Sequence, residues 1–183
     1  MRVDRAREAA LDALAACRRN GAWIDGALKQ VLKRDGLSGR DAAFASRIAY
    51  GVMQNRIYLD RCLARCLTQR PEKLEPLLLD ILRIGAYQIL LMDKVPVNAA
   101  VNEAVEMAKA HKLSRAAGLV NAVLRNLIRG KDELSWPDKE KDPEEWLHVE
   151  SSAPLWLVKK LIEAYGFDTA KQMLTYREAS HPT

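Results

Sequence analysis

The stretch Leu77-Leu-Leu-Asp-Ile-Leu-Arg-Ile-Gly-Ala-Tyr-Gln-Ile-Leu-Leu-Met92 is apolar almost all round, with Asp80 and Arg83 as its only charges. Two interruptions of this kind rule out a bilayer span, which needs about 20 apolar residues. A helix that is apolar on every side is normally surrounded by other elements, so the segment from about Leu74 to Met92 is expected to be the centre of a helical bundle.

Working outward, apolar residues recur near a period of 3.6, and no stretch alternates with period two. Toward the N-terminus, Ala6, Ala10, Leu14 and Cys17 form one stripe; Ile24, Leu28 and Val31 a second; Phe44, Ile48 and Val52 a third. Leu59, Cys62, Leu63, Cys66 and Leu67 then supply a fourth helix that ends before Pro71. Toward the C-terminus, Pro96 breaks the chain, and Val97, Val101, Ala104, Val105 and Ala108 make a sixth stripe. A seventh runs through Ala116, Val120, Val123, Leu124 and Leu127 to Gly130. Ser38 suits the N-cap of the third helix. The expected fold is all-α: a bundle of about seven helices over residues 1–130. A charged, proline-containing linker at 131–142 leads to a short helical pair within 143–183, about Pro154–Tyr165 and Phe167–Tyr176.

Composition supports this reading. Apolar residues make up 49% of the 183 and aromatics only 6%, so the core has to be built from Leu, Ala, Val and Ile. The opening Met-Arg-Val-Asp-Arg-Ala-Arg has no apolar signal-peptide core, which makes a cytoplasmic location the expectation. Cys17, Cys62 and Cys66 form no disulfide framework and read as small buried hydrophobes; His111, His148 and His181 are scattered singly, and no metal site is expected. The chain stops at Ser180-His-Pro-Thr183 without a capping element or a polar tail, which reads as the end of a piece of a longer protein.

Charge is unevenly distributed. Residues 1–131 carry 23 Lys+Arg against 13 Asp+Glu, whereas residues 132–183 carry 6 against 11. A basic domain with an acidic appendage is the asymmetry expected of a nucleic-acid binder. Arg2, Arg5 and Arg7 on the first helix form a row of guanidinium forks suited to phosphate oxygens, and Asp4, Glu8 and Asp12 can neutralise part of it. Arg40 and Arg47 lie two turns apart on one helix face and, with Lys112 and Arg115, form a second basic set. Asn98, Asn102, Asn121 and Asn126 interrupt apolar segments. Asn102 and Asn121, each following a core valine, are expected to be structural amides bridging helix ends or a loop, because a buried amide without partners costs about 1–3 kcal/mol. No glycine-rich nucleotide loop follows a strand, and no nucleophile–base pair can be argued.

Two stretches resemble the NusB family of RNA-binding antitermination factors: Arg40-Asp-Ala-Ala-Phe-Ala-Ser-Arg-Ile-Ala-Tyr-Gly-Val52 with Leu59-Asp60, and Ile81-Leu-Arg-Ile-Gly-Ala-Tyr-Gln-Ile-Leu90 with Asn102-Glu-Ala-Val-Glu-Met-Ala-Lys109 and Leu119-Val-Asn-Ala-Val-Leu-Arg125. Arg5-Ala-Arg-Glu-Ala-Ala-Leu11 is similar to that family's arginine-rich first helix. Beyond it, Glu150-Ser-Ser-Ala-Pro-Leu-Trp-Leu-Val158, Tyr165-Gly-Phe167 and Tyr176-Arg-Glu-Ala-Ser-His-Pro-Thr183 resemble the lead-in to the RsmB (Sun, Fmu) methyltransferases, although the usual Ser-His-Pro reads Ser152-Ala-Pro here.

The resemblance implies a small-subunit ribosomal RNA cytosine-5 methyltransferase that uses S-adenosylmethionine, with a NusB-like domain ahead of the catalytic one. The family's Thr-Cys and Pro-Cys motifs are not in this sequence, so no catalytic residue is assigned. The implied partners are small-subunit ribosomal RNA and the chain's own C-terminal methyltransferase domain. The alternative is a free-standing antitermination factor with a ribosomal-protein partner. A third reading has the basic face bind an acidic partner such as the chain's own tail.

Overall fold

The computed structural model describes residues 3–131 and 137–175, and the chain divides into two compact units, Met1–Leu134 and Ser135–Thr183. In the first, α1 (Arg5–Asn20), α2 (Ile24–Arg34), α3 (Gly39–Gln54) and α4 (Arg56–Ala64) lead through a 3-10 turn to α5 (Pro76–Leu91). Helices α6 (Val97–Ala110) and α7 (Ala117–Gly130) complete the bundle. As the apolar stretch requires, α5 is central: Ile81, Leu82, Ile84 and Ala86 have no exposure to solvent, and the helix packs against α1, α3, α4, α6 and α7. Each fully buried Leu or Ile contributes about 1.5–3 kcal/mol, so this helix anchors the domain.

Local chemistry sets the helix ends. Asp4 caps α1, its carboxylate accepting from the Arg7 amide at 3.0 Å. Pro76 opens α5 at a position where its missing N–H costs nothing, and Glu75 accepts from the Leu77 and Leu78 amides. Ser38 occupies the N-cap position of α3, but its hydroxyl makes no capping bond. After α6, Lys112 takes a left-handed conformation (φ 63°) and the Leu113 amide donates back to the Ala108 carbonyl at 2.8 Å. This Schellman-type closure turns the chain through a 3-10 turn, Ser114–Ala116, into α7.

The second unit has three described helices, α8 (Pro143–Ser151), α9 (Leu155–Tyr165) and α10 (Phe167–Thr175), around Leu147, Ala153, Val158 and Ala170. The sequence pattern predicts only the last two. The additional helix has a full start signal, an Asp142 side chain accepting from the Glu145 amide at 3.1 Å and Pro143 in the first turn. Its nine residues bury only Leu147 and Val149, too few for a visible stripe. Lys139 and Lys171 lie over the Trp146 ring at 5.5 and 5.4 Å, and Lys139 also covers Phe167 at 5.3 Å. Among the described residues, no helix is long and apolar enough to cross a membrane.

Candidate nucleic-acid interface

Four helix ends meet at one end of the bundle. Arg7 in α1 stacks over Phe44 of α3 at 5.0 Å, and Arg34 at the end of α2 pairs with Asp12 of α1, so α1 and α3 begin where α2 stops. His111, just past the end of α6, bonds Glu8 and brings that helix end to the same place. Arg5, Lys33, Arg34 and Arg40 therefore share this end.

The predicted residues separate here. Arg5 is exposed and donates to the Asp35 carbonyl. It rims a cavity of about 380 Å³ together with Val3, Glu8, Arg34, Asp35 and Ala110. Arg40 and Arg47 stand exposed on α3 and make no ion pair among the described residues, so their full charge faces solvent. Arg2 lies outside the described residues.

Arg7 does not belong to this surface. It is 9% exposed, its Nε donates to Gln88 Oε1 at 2.8 Å, and its Nη1 lies 3.3 Å from Asp4 Oδ1. Gln88, fully buried, in turn donates to the Ile84 carbonyl at 3.0 Å. The reason is geometric: Arg7 lies about 200° around α1 from Arg5, on the side that meets α3 and α5. Arg7 is thus a packing residue, and the row of three forks is not formed.

Arg34 is the cation that sequence reading overlooked. Its hydrogen bonds to Asp35 (2.6 Å) and Asp12 raise its pKa, and the same Arg34 contact, reinforced by the charge of Arg5, holds the Asp35 carboxyl below its usual range. It pins α2 to α1 and makes the platform for Arg5 rigid. No motif points to it, because its partners come from a neighbouring residue and another helix.

The two structural amides also differ from expectation. Asn102 is exposed: it lies on the solvent side of α6 beside buried Val101 and bridges nothing among the described residues. Asn121 is half-buried and accepts from Arg125 Nε at 3.0 Å, and Asn126 accepts from Arg129 one turn later. These neutral amides orient two exposed guanidinium groups without cancelling their charge. Helix α7 contains no acidic residue, which is the sequence signal for this second basic face.

Cys62 is buried and Cys17 and Cys66 half-buried, all as free thiols. Burial raises the pKa of all three, that of Cys62 to about 11, so none is poised as a thiolate.

A seven-helix bundle with a buried apolar α5 defines an all-α domain, and one of its ends carries exposed arginines. Residues 4–129 match the model of the NusB family, and the chain belongs to that family. It is 36% identical to the "Probable ribosomal RNA small subunit methyltransferase B" of Bacillus subtilis, over 94% of this chain and 38% of that protein. The protein of the same name from Synechocystis is 32% identical over 93% of this chain and 38% of its own length. "Transcription antitermination protein NusB" of Bacillus licheniformis is 36% identical over 50% of this chain and 72% of that protein. The chain thus spans little more than a third of the methyltransferase relatives.

Proposed function

We propose that this chain is the RNA-binding, substrate-positioning portion of a ribosomal RNA small-subunit cytosine-5 methyltransferase. In this reading residues 1–130 form the RNA-binding domain, 131–142 link it to a helical lead-in at 143–183, and a further catalytic domain would bind S-adenosylmethionine and contribute the attacking thiolate. The observation that carries the reading is the extent of similarity. The methyltransferase relatives match 93–94% of this chain, whereas the antitermination relative matches 50% of it. The second unit, with its own core around Leu147 and Val158, is what the longer match takes in.

Arg5, Arg40 and Arg47, with Arg2 shortly before Arg5 in sequence, would hold RNA phosphates and fix the register of the strand. Base recognition and chemistry would lie with the catalytic domain, which must extract its target base from a stack. Because each phosphate contact releases counterions, binding of a small-subunit ribosomal RNA fragment should weaken linearly with log salt, with a slope of about −0.7 to −0.9 per contact. Fluorescence anisotropy between 50 and 300 mM salt, about the range over which such contacts are lost, tests this. An affinity that does not change with salt would refute the electrostatic basis of the reading.

A further inference from the structure

One large side chain stands outside the bundle: Trp23 is 86% exposed, although tryptophan is highly buried on average. The local backbone explains its position. Helix α1 ends at Gly21 in a left-handed conformation (φ 62°), and Trp23 is extended (φ −70°, ψ 141°) just ahead of α2. Extended backbone sends successive side chains to opposite sides, so Ala22 and Ile24 pack on the core and the indole between them is left in solvent.

The indole stands at the end of a basic surface. Helices α2 and α3 form an antiparallel hairpin: residues 35–38 join them, and at the far end the Tyr50 hydroxyl donates to Asp25. Trp23 comes two residues before Asp25, and exposed Met53 one turn after Tyr50, so both apolar side chains belong to that far end. Lys29 and Lys33 follow Asp25 at intervals of four, along the edge of α2 that Asp25 turns toward α3. Arg47, one turn before Tyr50, and Arg40 stand on α3. All four cations are exposed and make no ion pair among the described residues. The acids on the two helices are Asp25, held by Tyr50, and Asp41.

A row of cations ending in an aromatic ring suits a single nucleic-acid strand, whose phosphates follow the charges while a base stacks on the ring. Lysine is depleted at protein–protein interfaces, so the lysines leading to this indole favour a polyanion over a protein partner. Asp25 repels a phosphate at the indole end but not a neutral base, which fixes which part of a nucleotide sits where.

We propose that Trp23 stacks one base of a single-stranded RNA segment whose phosphates run over Lys29, Lys33 and Arg47 toward Arg40. The proposal rests on the RNA-binding reading above and adds to it a contact that does not depend on charge. From Trp23 to Lys33 is about 15 Å along α2, so the strand would connect the indole with the end of the bundle that carries Arg5 and Arg40. A strand held at both places is fixed in direction as well as position.

The test uses the full 183-residue chain and a single-stranded RNA of about 12 nucleotides of mixed sequence, followed by anisotropy over the same salt series. Trp23→Ala should bind about tenfold more weakly at every salt concentration, the loss expected for one base–aromatic stack. Its salt slope should equal the parent's, because stacking releases no counterions. Trp23→Phe should recover part of the affinity. Lys29→Gln/Lys33→Gln should instead flatten the slope by about 1.4, as two lost single-strand phosphate contacts require. Heparin, which has no bases, should bind Trp23→Ala and the parent equally. The exposed position means that Trp23→Ala should keep the parent's unfolding midpoint, which separates lost stacking from lost folding.

If the lysine pair weakens RNA binding while Trp23→Ala does not, the stacking proposal fails and the RNA-binding reading stands. If the unaltered chain binds no RNA, both fall. If Trp23→Ala loses heparin as much as RNA, the indole recognises no base and the assignment is overturned. It is overturned equally if Trp23→Ala keeps its RNA affinity but abolishes self-association in sedimentation, since the indole is then a protein contact.

Discussion

The phenol of Tyr87 fills the space that a side chain at Gly51 would need: a Cβ built there would lie 1.9 Å from Tyr87 Cζ and 2.2 Å from its hydroxyl oxygen. The contact joins α3 to α5 at the centre of the bundle, where Tyr87 is 8% exposed. Glycine is kept here by steric contact, not by backbone conformation. Gly51→Ala should therefore cost about 1–3 kcal/mol or more through overpacking. In a Tyr87→Ala background most of that cost should vanish, because the clashing ring is gone. Urea unfolding of the four proteins in this cycle measures both effects, and equal costs in the two backgrounds would refute the contact.

A charged network ties the outer helices to the same core helix. Arg83 holds Asp60 of α4 through two bonds (2.7 and 2.8 Å) and Asp80 at 3.2 Å, while Arg18 of α1 reaches Asp80 at 3.1 Å. The Arg83 side chain is only 13% exposed and that of Asp80 only 5%. Removing one partner of such a pair leaves a buried charge poorly compensated, at a cost of about 3–5 kcal/mol. Arg83→Ala should fall near the lower end of that range, since Arg18 still pairs with Asp80. The unfolding midpoint should drop with the denaturant slope unchanged.

Helix periodicity exposed most of the fold because α5, the bundle stripes and their proline breaks are local signals. It overlooked α8, whose evidence is a cap and two buried residues rather than a stripe. The site was less legible. Arg5, Arg40 and Arg47 are on the surface, as a solvated basic face requires, but Arg7 faces inward because of helices that are distant in sequence. Asn102 and Asn121 look alike in sequence, each following a buried valine, yet one is exposed and the other holds Arg125. What separates them is the residue four positions later: Glu106 in α6 is drawn to Lys109, whereas Arg125 in α7 needs an acceptor.

These placements predict a division of labour among the arginines. Arg7→Gln removes a buried bond to Gln88 and the stacking on Phe44, so stability should fall by about 2–3 kcal/mol. RNA affinity, measured where the variant remains folded, should barely change. Arg40→Gln/Arg47→Gln should do the reverse: an unfolding midpoint within about 0.5 kcal/mol of the parent, and RNA binding weaker with a smaller salt slope. A loss of affinity in Arg7→Gln at full folding would return that residue to the interface.

The thiol of Cys62 gives the bundle an alkaline dependence whose sign can be worked out. Burial raises its pKa to about 11 from an ordinary value near 9. Between those values the unfolded chain has released the proton while the folded chain retains it, so unfolding is favoured as pH rises. The thiol's stabilising effect is fully present below about pH 9 and is lost as pH approaches 11, an amount on the order of 2 kcal/mol. Tyrosines and lysines titrate in the same window, so the measurement is a difference. Cys62→Ala is less stable at neutral pH because it leaves a small cavity, but its stability should fall less steeply from pH 9 to pH 11 than that of the parent. The two stability curves should converge by an amount on the order of 2 kcal/mol. Curves that stay parallel would show that the Cys62 proton is released equally easily in the folded and unfolded chains.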